Sequence, residues 1–324
     1  MLDKTKVTVG LICYREREQI ASILQSLVEQ TVFHQIGEVL LVQNGDCEQT
    51  LNSAKIFLKK LPLIILPHPI NHIGKARAMI VNQASEPLIA FTDGDCIVPP
   101  NWLETLLIHW NHCADLSPSG VGGPNRLPEN HLWKKLMNLS VSHFLGHGWS
   151  PQAWKPKNRA SVSHIPTTNA LFSSQKIKQA GNFSKKFHPV GEDLELGFRL
   201  KALGPLYLFP EPLVINNYAS SYFMNLKRLF RFGQVQWKNK NSLLALSFSF
   251  IPGFCFFLAL GFYYLLWWLP LAGYFSFLMI AALQVLTNSR SIWALSLPFF
   301  WFLQHSSYSL GVISGLLTQK MPKQ

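Results

Sequence analysis

Two acid pairs stand out as the residues able to do chemistry. Asp93 and Asp95 flank Gly94, and Glu192 precedes Asp193. The first pair follows a short apolar run, Leu88 to Phe91, which reads as a buried strand ending in carboxylates. In open α/β sheets, the crevice outside the strand ends is where ligands bind. Gly94 lets the backbone turn sharply and aim both carboxylates at one spot. Two hard oxygen ligands suit Mg²⁺ or Mn²⁺, with substrate phosphates completing the shell. An Asp-Gly turn that merely closes a strand is the plainer reading of the same residues. Glu192 and Asp193 fit either a general base or a helix cap.

The elements that must carry these acids follow from the hydrophobic pattern. Val7 to Cys13 is a nearly continuous apolar run and reads as a first strand. Tyr14-Arg15-Glu16-Arg17-Glu18 then opens a helix whose apolar stripe is Ile20, Ile23, Leu24, Leu27 and Val28. Glu38 to Val42 forms a second strand, ending in the turn cluster Gln43-Asn44-Gly45-Asp46, with a helix from about Cys47 to Lys60. Leu63 to Leu66 is a third strand, and a helix opened by Asn71 to Arg77 ends near Ala84. Leu88 to Phe91 is the fourth strand. This alternation predicts parallel βαβ units in a doubly wound sheet, with the polar turns gathered along one edge. A helix entered through Pro99-Pro100 follows, residues 129 to 160 read as loop-rich, and Pro166 to Phe172 returns to strand character. His143 and His147 in the loop-rich stretch lack ligand partners at a familiar metal spacing.

Taken together, residues 6 to about 237 resemble a family 2 glycosyltransferase domain of the GT-A type. The resemblance rests on six pieces in order. They are Cys13-Tyr14-Arg15-Glu16, Gln43-Asn44-Gly45-Asp46, Gly74-Lys75-Ala76-Arg77, Phe91-Thr92-Asp93-Gly94-Asp95 with Trp102, Thr168-Asn169-Ala170, and Gly191-Glu192-Asp193 with Arg199. It implies a doubly wound mixed sheet of GT-A type, followed here by C-terminal transmembrane helices. It also implies a sugar-nucleotide donor and an inverting displacement. By the same resemblance Asp95 holds Mg²⁺ or Mn²⁺, Asp93 contacts the ribose or the metal's water shell, and Asp193, with Glu192 beside it, is the general base. Tyr14, Glu16, Gln43, Asn44, Lys75, Arg77 and Asn169 are the other donor-binding candidates, and Arg77 fits either a phosphate contact or a solvated helix face. The family usually places an acid in the second-strand turn, and this chain has Gln43-Asn44 there. An amide can bond a uracil or a guanine edge, so the expected donor is a UDP- or GDP-sugar.

Charge and hydropathy divide the chain. The formal charge is +12, yet no Asp or Glu occurs after Glu211. Lys227, Arg228, Arg231, Lys238 and Lys240 form a basic block just ahead of long apolar runs. That pairing points to a cytoplasmic membrane surface. Nucleic acid is not the expected partner, because the aromatics sit in apolar runs rather than among the charges. Arg228 and Arg231 share a helix face and fit a diphosphate contact or lipid headgroups. Leu243–Leu269 is uncharged and exceeds the roughly 20 residues that cross a bilayer; Leu271–Leu286 is marginal; Ile292–Leu317 is long but contains Gln304 and His305. Two or three spans are therefore expected, with a third segment able to lie at the interface. The expected organisation is a transferase domain over 1–218, a basic interfacial segment over 219–242 and transmembrane helices over 243–324, the catalytic domain facing the cytoplasm. The five cysteines form no CxxC pair, which argues against zinc and a disulfide framework. The first apolar run is too short for a signal peptide.

These observations predict transfer of a sugar to a lipid-linked or polysaccharide acceptor. A catalytically silent sugar-nucleotide or polysaccharide-binding membrane partner is the rival, and Gln43 is what keeps it open. A nucleotidyltransferase would require a Gly-rich phosphate loop after the first strand, which Cys13-Tyr14-Arg15-Glu16 is not.

Overall fold

The structure is a computed structural model, and it describes residues 5–45, 47–148, 150–186, 190–236 and 244–318. Asp46, Trp149, Trp237, Lys238, Lys240, Lys320 and Lys323 lie outside the described residues. The chain divides into two compact units, 1–126 with 150–218, and 127–149 with 219–324.

The first unit is built on an eight-stranded sheet. Its strands are β1 Val7–Cys13, β2 Ile36–Asn44, β3 Leu63–His68, β4 Leu88–Asp93, β6 Gly120–Gly122, β8 Ala160–Ser161, β9 Ala170–Ser173 and β10 Leu206–Leu208. They lie in the order β3-β2-β1-β4-β9-β6-β10-β8. A smaller sheet joins β5 Cys96–Ile97, β11 Val214–Asn216 and β7 Asn125–Arg126 in the order β5-β11-β7. The helices are α1 Ile20–Val28, α2 Glu48–Lys55, α3 Ile73–Gln83, α4 Trp102–His112, α7 Ser174–Gln179 and α8 Glu192–Lys201. The second unit is helical: α5 Leu132–Ser140, α6 Phe144–His147, α9 Tyr222–Gln236, α10 Leu244–Gly261, α11 Leu269–Ser289 and α12 Leu297–Thr318.

The first four strands are parallel, and β9 runs antiparallel to both β4 and β6, so the sheet is mixed. Every residue of β1 is buried, as expected for a central strand covered on both faces. One core cluster packs α1, α2 and α4 against one face, and a second packs α3, α7 and α8 against the other. Trp102, fully buried, anchors the first cluster. The acid inside β2 is accounted for locally: Glu38 Oε1 accepts from Thr8 Oγ1, Ser85 N and Ser85 Oγ at 2.7–2.9 Å. A buried carboxylate is tolerated where hydrogen bonds replace its water.

Two sequence expectations change here. Tyr14 to Glu16 form a loop rather than a helical turn; a short 3₁₀ turn at Arg17–Gln19 precedes α1. Arg15 and Arg17 sit at φ 61° and 54°, the left-handed region that costs an L-residue about 1–2 kcal/mol. The stretch expected to be loop-rich carries α5 and α6, whose apolar residues Leu139 and Leu145 join the core of the helical unit.

Among the described residues, Leu265–Ser289 is long and apolar enough to cross a membrane, and Phe250–Gly261 is a shorter apolar helix. The expected two or three spans thus reduce to one stretch that meets the criterion by length and composition.

Candidate functional site

Parallel pairing places the C-terminal ends of β2, β1 and β4 side by side along one sheet edge. The register sets Cys13 beside Gln43 and Ile12 beside Asp93. Residues 14–16, 43–45 and 93–95 therefore meet at that edge. The role of Gly94 differs from the one read from sequence: its φ is not positive, and what it permits is close approach. Its N–H donates to Ile12 O at 2.9 Å, and an added Cβ would stand 3.0 Å from that oxygen. The small sheet holds the next residue, since Asn217 N donates to the Asp95 carbonyl at 3.0 Å and β5 pairs with β11.

Arg77 is central. It lies on the buried face of α3 and is 3% exposed, which decides against a solvated helix face. Its Nη2 donates to Asp93 Oδ1 at 3.0 Å, and its Nη1 donates to Glu192 Oε1. The guanidinium thus joins the strand-end acids to the acids that open α8. Glu192 is buried and its Oε2 has no hydrogen-bond partner, whereas Asp193 Oδ1 accepts from Leu194 N at 2.8 Å. Glu192 is thus held inside by Arg77, whereas Asp193 is half-buried. The charge of Asp193 is felt by His164, whose ring burial pushes below its ordinary pKa. Helix α8 approaches His164 closely enough that a Cβ on Gly197 would collide with it. Nothing in the sequence marks His164, a lone histidine in an irregular segment.

Glu16 is the third carboxylate at the edge. Burial raises its pKa to about 7; the N–H groups of Glu16 and Tyr14 oppose the shift, and the charges of Asp95 and Asp93 add to it. Its Oε2 is buried without a hydrogen-bond partner. Asp93, Asp95 and, above about pH 7, Glu16 thus concentrate negative charge where one guanidinium answers part of it. Such a surplus fits a divalent cation. Among the described residues no three acidic, His or Cys side chains form a closed metal cage. An open set suits Mg²⁺ or Mn²⁺, which keep coordination positions for water and phosphate oxygens.

The remaining candidates divide into exposed and internal groups. Tyr14 is 40% exposed and its ring packs on Gly45, whose φ is 112° and where a Cβ would meet the ring at 2.9 Å. Gln43 is half-buried and donates to Cys47 O at 3.2 Å. Lys75, also half-buried, sits in the first turn of α3, where His72 Nδ1 caps its N–H at 3.3 Å. Asn44 and Asn169, expected to touch the donor, have their side-chain amides hydrogen-bonded within the protein. Asn44 Oδ1 accepts from His72 N and bonds His68 Nδ1, and its Nδ2 donates to Asn71 Oδ1. Asn169 is fully buried; it accepts from Trp102 Nε1 at 3.0 Å and donates to Pro124 O and Pro212 O. Both pin loops in place because a turn's unpaired backbone groups need partners. Arg199 likewise clamps Ala180 O, Asn182 O and Glu195. Arg228 and Arg231 are on α9 of the helical unit, with Arg228 stacked 5.3 Å from the Phe232 ring centroid. His143 caps α6 and packs on Trp301, so its role is in packing.

The family model described as Glycosyl transferase family 2 matches residues 8–172, half of the chain. The chain belongs to this family. Two curated relatives agree. O-antigen biosynthesis protein RfbC of Myxococcus xanthus is 25% identical over 217 residues, 61% of this chain and 16% of its own length. Glycosyltransferase AglE of Haloferax volcanii is 33% identical over 101 residues, 30% of this chain and 33% of its own. This chain therefore spans a sixth to a third of those relatives. Among solved structures, the mannosyltransferase PcManGT from Pyrobaculum calidifontis, in complex with GDP-Man and Mn²⁺, superposes with a TM-score of 0.61 at 15% identity. That match covers 99% of this chain and 90% of the other and establishes the GT-A-like fold. In this family 2 domain the matched segment contains β1 to β9, and so the whole edge bearing Glu16, Gln43, Arg77, Asp93 and Asp95.

Proposed function

We propose that this chain is a metal-dependent glycosyltransferase that moves a sugar from a UDP- or GDP-sugar to a lipid-linked or glycan acceptor at the cytoplasmic face of a membrane. The observation that carries the reading is the Asp93–Arg77–Glu192 ladder. It sets a strand-end acid pair suited to a metal-bound diphosphate beside an acid pair suited to proton abstraction. The family match, and the GDP-Man and Mn²⁺ in the structural neighbour, support the same reading.

In this account the exposed face of Tyr14 supports the base, the Gln43 amide bonds its edge, and Lys75 faces the phosphates. Asp95, with Asp93, would hold Mg²⁺ or Mn²⁺, which when bound neutralises the diphosphate leaving group. Asp193 takes the proton from the acceptor hydroxyl as that oxygen bonds to the anomeric carbon. The bond from the anomeric carbon to the phosphate oxygen breaks, its electron pair stays on the diphosphate, and the centre inverts. Glu192 is a positioning residue, held by Arg77. Asn44 and Asn169 hold the loops that carry the site. The basic α9 and the apolar stretch at Leu265–Ser289 are taken as the membrane-facing part.

The test is turnover by detergent-purified protein across a panel of UDP- and GDP-sugars with Mn²⁺. Release of nucleotide with at least one donor is expected, and its loss in Asp95→Ala and Asp193→Ala. Donor binding with no turnover across the panel would instead make the chain a silent binding partner.

A further inference from the structure

The membrane reading leaves open which apolar helices enter the lipid, and packing inside the helical unit separates them. Helices α9 and α12 lie side by side and run in the same direction. Tyr222 Oη donates to Phe300 O at 3.2 Å, Ser307 Oγ donates to Leu226 O at 2.7 Å, and Gln234 Nε2 donates to Ser314 Oγ at 3.1 Å. Two glycines make the contact possible. A Cβ on Gly311 would collide with Phe230 O, and one on Gly233 with Tyr308 O. Such small-residue crossings bring helix backbones into direct contact. Helix α12 must therefore lie at the depth of α9, which carries Lys227, Arg228 and Arg231 within two turns. Three cations so close together belong at headgroup level, not in hydrocarbon.

The surroundings of α12 agree. Its polar side chains are spent on neighbours: Gln304 bonds Ser140 Oγ, His305 lies between Tyr274 Oη and Leu145 O, and Ser309 Oγ accepts from Ile251 N. Of its large apolar residues, Phe299, Leu310 and Leu317 are exposed. The segment joining α10 to α11 is the reverse. Phe262, Tyr263, Tyr264, Leu265, Leu266, Trp267, Trp268 and Leu269 are all exposed, and α11 continues with exposed Phe275, Phe277, Met279, Ile280 and Leu283. Gly253 and Gly273 have open space where a Cβ would point. Helix α10 pairs with α11 through Phe250 and Tyr274, and with the 3₁₀ turn ahead of α11 through Phe257 and Trp267, so they form a hairpin. Its arms meet α12 part-way along, at Phe250 and Phe254 on α10 and at Tyr274 and Phe275 on α11, so what projects beyond α12 is the turn end.

We infer that only the turn end of the α10–α11 hairpin, Phe262–Leu269 with the adjoining ends of both helices, enters the lipid, and that α12, which meets the arms at Ile251 and Tyr274, stays beside α9 on one face of the bilayer, against anionic headgroups. The proposal rests on the membrane reading above. It means that the sequence-predicted third span is an interfacial helix, and that the start of α9 and the end of α12 share one side.

Cysteine labelling tests this in sealed vesicles of phosphatidylcholine with anionic phosphatidylglycerol. In a Cys47→Ser, Cys255→Ser background, Met224→Cys reports α9 and Thr318→Cys reports the end of α12, with Leu317→Cys as a duplicate. All three positions are exposed. A membrane-impermeant maleimide is expected to give the same ratio of labelling before and after detergent at positions 224, 317 and 318. Opposite sidedness of 224 and 317/318 would overturn the inference while leaving the membrane reading intact. Release of the protein by an alkaline carbonate wash would overturn the membrane reading itself, and the inference with it.

Discussion

Each unit buries a polar network, and the two are built in opposite ways. In the sheet unit the network is charged and incomplete: Arg77 bridges Asp93 and Glu192, while Glu192 Oε2 and Glu16 Oε2 find no hydrogen-bond partner. In the helical unit the network around Gln304 and His305 is neutral and its contacts are paired, though Ser306 Oγ beside it is buried without a hydrogen-bond partner. His305 uses both ring nitrogens, on Tyr274 Oη and Leu145 O, and Gln304 joins Ser140 Oγ to Met137 Sδ. Buried polar groups are expensive unless satisfied. A closed neutral network repays that cost in packing alone. An open anionic one retains unmet demand, which the proposed function meets with a cation and its bound diphosphate.

This contrast can be broken or sharpened by substitution. The largest effect is expected at Asp193. Asp193→Asn keeps the shape of the side chain and removes the base, so kcat should fall by about 10² to 10⁴-fold. Its unfolding midpoint in urea should stay near that of the parent. Arg77→Ala comes next. It strands Asp93 and Glu192 together in a buried setting, and breaking such a pair costs about 3–5 kcal/mol. Chemical denaturation should register that loss, with activity falling too. A cost below about 1 kcal/mol would show that the ladder is not structural.

Glu16 gives an intermediate effect with a defined sign. Its folded pKa, about 7, lies above the ordinary 4.5. Between those values the unfolded chain has already released the proton that the folded chain keeps, so stability falls as pH rises from about 4.5 to 7. Glu16→Gln should abolish this fall and, in metal-free protein, gain about 1–3 kcal/mol at pH 8 relative to the parent. Melting curves at pH 4.5 and pH 8 in chelator read it directly. The smallest effect is expected in the helical unit. Gln304→Leu exchanges a closed neutral contact for an apolar one and should change stability by about 1 kcal/mol or less, with donor turnover unaffected.

Much of the sheet unit was legible because period and punctuation agreed. Val7 to Cys13 and Leu88 to Phe91 are apolar runs of strand length, and each is followed by polar residues that fall at the shared edge. The order of the six short motifs then pointed to the family. What the sequence could not show was which polar residues look outward. Asn169 and Asn44 have the chemistry to touch a ligand, yet their amides are consumed by Trp102, Pro124, Pro212, His72 and Asn71. The sequence left Arg77 between a phosphate contact and a solvated helix face, because the carboxylates that hold it inside come from residues 16 and 115 positions away. The helical unit was harder still. Composition made α12 look like a span, and its hydrogen bonds to α9 together with the tight contacts at Gly233 and Gly311 reveal that it lies against a basic helix.

The most direct test of the central claim is calorimetry of UDP and GDP binding, with and without Mn²⁺, to the parent and to Asp95→Ala. The account predicts that Mn²⁺ tightens binding of at least one nucleotide to the parent by about tenfold or more, some 1.4 kcal/mol, and that Asp95→Ala loses this gain. Equal Mn²⁺ enhancement in Asp95→Ala would contradict it and place the nucleotide elsewhere than the edge formed by β1, β2 and β4.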